Sequence, residues 1–245
     1  MRGTVFITGC RRGLGRAFVE AFARSGANVV AHARKESSDF AFWIDETASR
    51  YGVTITPVYF DLTDSERMKA EVRKLIAARI PINVLVNSAG IAHGGLFQMT
   101  PLAKIREVFE VNFFAHVELT QQLLRYMMRC GSASVINIAS ISGMDLLPGN
   151  CAYGVSKAAI IAFTKTLAAE VGRQGVRVNA IAPGLTDTDM AKLMESEAGR
   201  NMIDASAMKR LGRPDEIADV AVWLASDNSS FVNGQVIRVD GGGRR

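Results

Sequence analysis

Cysteine is scarce in this chain: Cys10, Cys130 and Cys151 are the only three in 245 residues, and no two form a CxxC pair. That spacing excludes a disulfide framework and a structural zinc site, and it fits a reducing compartment. Histidine is as rare. His32, His93 and His116 are scattered, without nearby carboxylate pairs and without a GxSxG elbow. Neither a Ser-His-Asp hydrolase nor a metal site is therefore expected. No apolar run is long enough to span a membrane, and "GTVFIT" reads as a strand from residue 3, with no leader-like segment before it. The expectation is a cytoplasmic protein. A long run of one charge is missing too. The 29 Lys and Arg outnumber the 24 Asp and Glu, but they are interspersed. Generic nucleic-acid binding is not expected, while a small basic patch for an anionic ligand stays open.

What is present is a regular alternation. The runs "GTVFIT", "ANVVAHA", "TITPVYF", "INVLVNS", "ASVINIA", "VRVNAIA" and "GQVIRVD" have strand character, and amphipathic stretches near 13–25, 38–51, 64–79, 101–129, 152–173 and 214–225 separate them. Strands this apolar between helices imply a parallel sheet covered on both faces. Right-handed crossovers then give an α/β, Rossmann-like doubly wound sheet of about seven strands, in a single domain over residues 1–245. The long departure from strict alternation is 185–213, whose charged, Met-rich character suggests a short lid.

Several short motifs carry chemistry. "ITGCRRGLGRA" sets Gly9, Gly13 and Gly15, with Arg11, Arg12 and Leu14 between them, where the first strand meets the first helix. Glycines there let backbone approach a pyrophosphate, and a helix start offers free N–H groups; a plain tight turn is the simpler alternative. "FDLTD" ends the third strand-like run with Asp61 and Leu62, and "VNSAG" ends the fourth with Asn87, Ala89 and Gly90. Such strand ends bind ligands in these sheets, though Asp61 can equally cap a helix and Asn87 a turn. In "CAYGVSKAAIIAF", Tyr153 and Lys157 stand four residues apart, on one helix face. Packing plus snorkelling would explain that pair taken alone.

Together these motifs resemble the short-chain dehydrogenase/reductase family over essentially the whole chain. The order and spacing match: TGxxxGxG at Thr8–Gly15, DL at Asp61–Leu62, NSAG at Asn87–Gly90, Asn112 in "VFEVNFF", Ser140 in "NIASISG", YxxxK at Tyr153–Lys157, "APGLTDTDM" and a late "VDGG". The resemblance implies an oxidoreductase in which Tyr153 exchanges a proton with the substrate oxygen and Ser140 orients that oxygen. Lys157 would tune Tyr153 and bind the nicotinamide ribose, and Asn112 would hold a relay water. Ser142 is the other candidate serine, with a poorer spacing. Bringing a tyrosine from about 10 to about 7 takes roughly 4 kcal/mol, which a lysine charge about 4 Å away would supply against the opposing effect of burial. Pro183, Gly184, Thr186 and Thr188 would meet the nicotinamide.

The expected cofactor is NADP(H). An NAD site of this type ends its second strand with an acid, but Ala33 stands there, Arg34 follows, and Arg12 precedes the second glycine of the loop. The C-terminal segment is most similar to bacterial 3-oxoacyl-[acyl-carrier-protein] reductases, which implies an acyl carrier protein as partner, with Arg125, Arg129 and Arg173 as docking candidates. Helix C-termini favour arginine in any case. A free sugar, polyol or secondary-metabolite ketone is the alternative substrate, and a cofactor-binding protein without catalysis the alternative class. The resemblance also implies a homotetramer, since family members pair the helices near 101–129 and 152–173 across two-fold axes and dock C-terminal strands across another.

Overall fold

A computed structural model describes residues 3–188, 203–204 and 206–243. Seven strands form one sheet: β1 (Thr4–Ile7), β2 (Asn28–Ala33), β3 (Ile55–Tyr59), β4 (Ile82–Asn87), β5 (Ala133–Ile138), β6 (Val176–Pro183) and β7 (Val236–Val239). Their order is β3-β2-β1-β4-β5-β6-β7, and every pairing is parallel. All seven strand-like runs are thus strands of one sheet. Among the described residues the sheet is packed by α1 (Gly13–Arg24), α2 (Ser38–Tyr51), α3 (Ser65–Ala77), α4 (Leu102–Phe109), α5 (Ala115–Met128), α6 (Ser142–Asp145), α7 (Cys151–Val171) and α8 (Pro214–Ala225).

Side chains alternate across a strand, so each strand feeds two cores. Val5 and Ile7 of β1 pack with Phe18 and Phe22 of α1, Trp43 of α2 and Leu224 of α8. Phe6, between them, packs on the opposite face with Met68 of α3, Leu119 and Leu123 of α5, and Leu167 of α7. Each such large apolar side chain, fully buried, contributes about 1.5–3 kcal/mol. β3 is an edge strand with alternating burial, which is where Pro57 is tolerated.

Two elements depart from the sequence pattern. The stretch 101–129 is not one α-helix: a π turn, Glu110–Phe114, separates α4 from α5, and the Ala115 N–H bonds the Glu110 carbonyl five residues back. The four-residue helix α6 was not visible as a helix at all. Most of the expected lid, 189–202 and residue 205, lies outside the described residues. The chain reverses direction between β3 at one edge and β4 beside β1, so the crevice between the β1 and β4 ends is the site this topology provides.

Candidate active site

The loop after β1 is built around glycine. Gly13 has a φ of 57°, a region that L side chains rarely adopt, and a Cβ on Gly15 would lie 2.1 Å from the Gly9 carbonyl oxygen. Arg12 is the N-cap of α1, with extended backbone and no side-chain cap among the described residues, and a helix start of this kind offers its first N–H groups to an anion. Arg11 and Arg12 are exposed. Arg11 lines a shallow pocket with Arg16, Asp39, Phe40 and Trp43, beside the loop. Leu14 packs against the apolar core. At the end of β2, Ala33 is buried and Arg34 is exposed just past it.

Asp61 accepts both the N–H and the hydroxyl of Thr63, at 3.0 and 2.8 Å, and so braces its own turn; the cap of α3 is Asp64. These bonds, with the Arg34 charge, hold its carboxyl below the usual range. Leu62 is buried beside it.

The Asn87 amide nitrogen is spent inside the protein. Buried in the sheet, it donates to Thr120 Oγ1 at 3.1 Å and Asn137 Oδ1 at 2.8 Å, and Asn137 donates to Thr164 at 2.9 Å. This polar ladder ties α5, β4, β5 and α7 together beneath the site. Thr8 Oγ1 accepts the Ser88 and Ala89 N–H groups at 2.9 and 3.0 Å, which locks the loop after β4 to the loop after β1. Thr8 and Asn137 escaped the sequence analysis as site residues. A polar side chain inside the apolar runs "FIT" and "VINIA" was the available signal.

Asn112 sits in the π turn, fully buried. Its Oδ1 accepts the Ile91 N–H at 2.8 Å, and its Nδ2 donates to the Ile91 carbonyl at 3.0 Å and Ser156 Oγ at 3.1 Å. The wider turn exposes backbone groups that a regular helix would pair. A Cβ on Gly90 would lie 3.2 Å from Asn112 Oδ1 and 3.6 Å from Lys157 Nζ. Gly90, Asn112 and Lys157 therefore converge.

Ser140, at the end of β5, hydrogen-bonds Tyr153, and its Oγ accepts the Ser142 N–H at 3.1 Å. Ser142 turns its carbonyl toward Gly154 of α7 instead. Lys157 does not snorkel: it is 3% exposed, and Nζ donates to the Ile138 carbonyl at 2.7 Å. The tuning expected from it differs in the protein's own field. Nζ is 5.8 Å from the Tyr153 ring centre, and burial pushes the phenol's pKa up, offset in part by the Ser140 hydrogen bond. Burial also pulls the Lys157 ammonium down to about 8. The protein groups alone thus keep Tyr153 protonated at neutral pH, the form a general acid needs.

Pro183 ends β6, and Gly184 packs so closely that a Cβ would lie 2.7 Å from Asp240. Thr186 is buried and bonds the Gly184 carbonyl at 3.1 Å; Thr188 bonds the Thr186 carbonyl at 3.3 Å. A Cβ on Gly13 would lie 3.7 Å from Thr188, so this segment closes against the phosphate loop. Arg125, Arg129 and Arg173 are exposed but do not join the site. Arg125 and Arg129 end α5, whose 14 residues run about 20 Å away from Asn112, and Arg173 follows α7.

Residues 9–243 match the family model described as enoyl-(acyl carrier protein) reductase. The chain is 36% identical to Nodulation protein G of Azospirillum brasilense over 236 residues, covering 96% of each. It is also 36% identical to the 3-oxoacyl-[acyl-carrier-protein] reductase of Thermotoga maritima over 237 residues, 96% of this chain and 95% of that one. The chain belongs to the short-chain dehydrogenase/reductase family. As a short-chain dehydrogenase/reductase it is an oxidoreductase. Among solved members, a provisionally assigned gluconate dehydrogenase from Agrobacterium tumefaciens superposes with a TM-score of 0.93 at 30% identity, covering 98% of this chain and 95% of that one. A provisionally assigned NAD(P)-dependent gluconate 5-dehydrogenase from Beutenbergia cavernae, with NADP bound, gives 0.91 at 34%, covering 98% and 96%.

The residues of this short-chain dehydrogenase/reductase fit a dinucleotide. Any Cβ at Gly15 would enter the Gly9 carbonyl, and the uncapped start of α1 opens onto the same loop. Gly9, Gly13 and Gly15 would hold the pyrophosphate, Arg12 and Arg34 the adenosine end, and Gly90, Lys157 and the 183–188 segment the nicotinamide end.

Proposed function

We propose that this enzyme reduces a 3-oxoacyl thioester on an acyl carrier protein to the 3-hydroxyacyl form, with NADPH as reductant. The bound dinucleotide supplies the hydride. Tyr153, held protonated by burial, gives its proton to the ketone oxygen, and Ser140 hydrogen-bonds the same oxygen and fixes its approach. Lys157 keeps a cation beside the phenolate that remains, and Asn112, which converges with Lys157 on Gly90, would hold the water through which the proton is restored. The preference for NADPH rests on Ala33, Arg34 and Arg12, since two guanidiniums can bond a 2′-phosphate and Ala33 stands where an acid would accept the ribose hydroxyls.

The observation that carries the substrate class is apolar. α6 packs on α7 beside Lys157; Met144 on it and Leu146 and Leu147 just after it are exposed. The segment with exposed Leu96, Phe97 and Met99 joins them through the Gly95 N–H, which bonds the Gly149 carbonyl at 2.8 Å. Six exposed apolar side chains on the two segments joined at Gly95 and Gly149, one of them packed through α6 on α7, suit an alkyl chain better than a polyol. The gluconate enzymes among the structural neighbours favour a second reading, a sugar-acid ketone. Oxidation of NADPH followed at 340 nm with acetoacetyl carrier protein and with 5-ketogluconate decides between them. Faster turnover of the carrier substrate by at least about tenfold in kcat/KM supports the first, and the reverse order overturns it.

Assembly into a homotetramer belongs to the same proposal. α7 is apolar around most of its circumference, and Val155 on it and Phe114 at the end of the π turn are exposed, as is Phe231 before β7. An antiparallel pairing of α5 and α7 would also carry one chain's Arg125, Arg129 and Arg173 toward the other chain's site.

A further inference from the structure

His32 takes part in none of the contacts above, yet it is buried in β2 one residue before Ala33. Its Nδ1 accepts the Gly9 N–H at 3.2 Å, and its Nε2 lies 2.8 Å from the Phe60 carbonyl oxygen. A neutral imidazole has one donor nitrogen and one acceptor. The Gly9 amide only donates and the Phe60 carbonyl only accepts, so one tautomer satisfies both: a bare Nδ1 and a protonated Nε2. The His32 carbonyl also accepts the Cys10 N–H at 2.8 Å, and the ring packs on Phe60 with centres 4.3 Å apart. Burial pulls the imidazole down to about 4, which keeps it in the neutral form that both bonds require.

The two tethered residues matter because of what they adjoin. Gly9 begins the phosphate loop, at a φ of 75°, with Ala89 Cα only 3.0 Å from where its Cβ would lie and with Gly15 pressed on its carbonyl. A shift of Gly9 therefore moves the first turn of α1. Phe60 immediately precedes Asp61 and Leu62, on the adenosine side of the cleft. A dinucleotide has to touch both places at once. A packing residue at this position would need no polar atoms; leucine would fill the space.

We propose that His32 is a positioning residue for the dinucleotide: its ring ties the phosphate loop after β1 to the loop after β3 and sets the distance between them. This rests on the reading that the cleft takes NADP(H). The tie acts through Gly9 and Asp61 and touches no reacting atom.

Two isosteric variants separate the two bonds. In His32→Asn the amide oxygen overlies Nδ1 and keeps the Gly9 bond; in His32→Gln the amide nitrogen reaches toward Phe60 and the Gly9 bond is lost. Dissociation constants for NADPH and for adenosine 2′-monophosphate, measured by calorimetry, are the readout. The mononucleotide touches only the adenosine side, so the loss should fall on NADPH. His32→Gln is expected to weaken NADPH about tenfold with a smaller effect on the mononucleotide, and His32→Asn to stay within about threefold of the parent. In steady state, KM for NADPH should rise in His32→Gln by more than kcat falls. Equal losses in both variants, or parallel losses for both ligands, would reduce His32 to a core residue and overturn the proposal. A parent protein that does not bind NADPH would instead overturn the cofactor reading. Should His32→Gln not fold, ¹⁵N shifts of the parent imidazole decide: a bare Nδ1 that responds to NADPH supports the tie, and a protonated Nδ1 refutes it.

Discussion

Acid should unfold this protein earlier than its carboxylates alone would dictate, because two imidazoles are buried neutral. Burial pulls His32 to about 4 and His116 to about 3, from an ordinary value of 6.5. The Lys157 charge adds to the depression at His116, and the adjacent Asn112 carbonyl opposes it. Both folded pKa values lie below the unfolded ones, so the unfolded chain binds the protons first. Stability is then fully present above pH 6.5 and falls as pH drops, by about 1.4 kcal/mol per unit for each imidazole, until the folded chain itself protonates. At pH 5 the two together cost about 4 kcal/mol relative to pH 7.5, a large share of the 5–15 kcal/mol typical of a domain. Carboxylates such as Glu216, held near 2 by Arg210, contribute only at lower pH. Beyond the Asn112 carbonyl close to its ring, His116 makes no hydrogen bond of good geometry among the described residues, so His116→Leu should cost little at pH 7.5 and should halve the loss at pH 5 to about 2 kcal/mol. Urea unfolding at pH 7.5, 6 and 5, read as midpoint and slope for both proteins, tests this. A parent whose stability changes by less than about 1 kcal/mol over that range refutes the reasoning, as does an undiminished loss in the variant.

Three further outcomes are expected. Tyr153→Phe should keep NADPH binding and lower turnover by about 10²–10⁴-fold in the NADPH oxidation assay; a loss under tenfold would remove Tyr153 from the proton step. Ala33→Asp combined with neutral replacements of Arg12 and Arg34 should reverse a preference for NADPH over NADH of about 10²-fold, measured as a ratio of dissociation constants, and comparable parent constants for the two cofactors would contradict the phosphate assignment. Light scattering at micromolar concentration should return four times the chain mass, against the 26.5 kDa that a monomer would show.

The architecture was legible because its signal is local. Each strand is a short apolar run that stops at a turn, and even the edge position of β3 is hinted at by Pro57 inside "TITPVYF". The pairing of Tyr153 with Lys157 was legible through spacing, and the place of Ser140 and Asn112 beside them through resemblance to the family's motifs. The π turn was not, because one extra residue in a helical turn leaves composition and propensity unchanged. Nor was the direction of Asn87: a strand-end amide suits a turn, a ligand or a ladder equally, and its partners Thr120 and Asn137 lie 33 and 50 residues away. The pKa of Tyr153 eluded a pairwise estimate for a related reason. A lysine four residues on supplies a favourable charge, but the desolvation opposing it depends on everything packed around the ring.

The strand order also has a consequence for a chain that leaves the ribosome from its N-terminus. β1 occupies an interior place in the finished sheet, yet its two neighbours arrive at very different times: Thr4 faces Asn28 on one side and Ile82 on the other. Once β2 has docked, the far edge of β1 stays open until some fifty more residues have emerged, counting from Asn28 to Ile82. Through that interval Val5, Phe6 and Ile7 present an unpaired, wholly apolar strand edge. Nascent chains of this protein should therefore be at their most adhesive before β4 is made, and a translational pause placed there would lengthen the exposure.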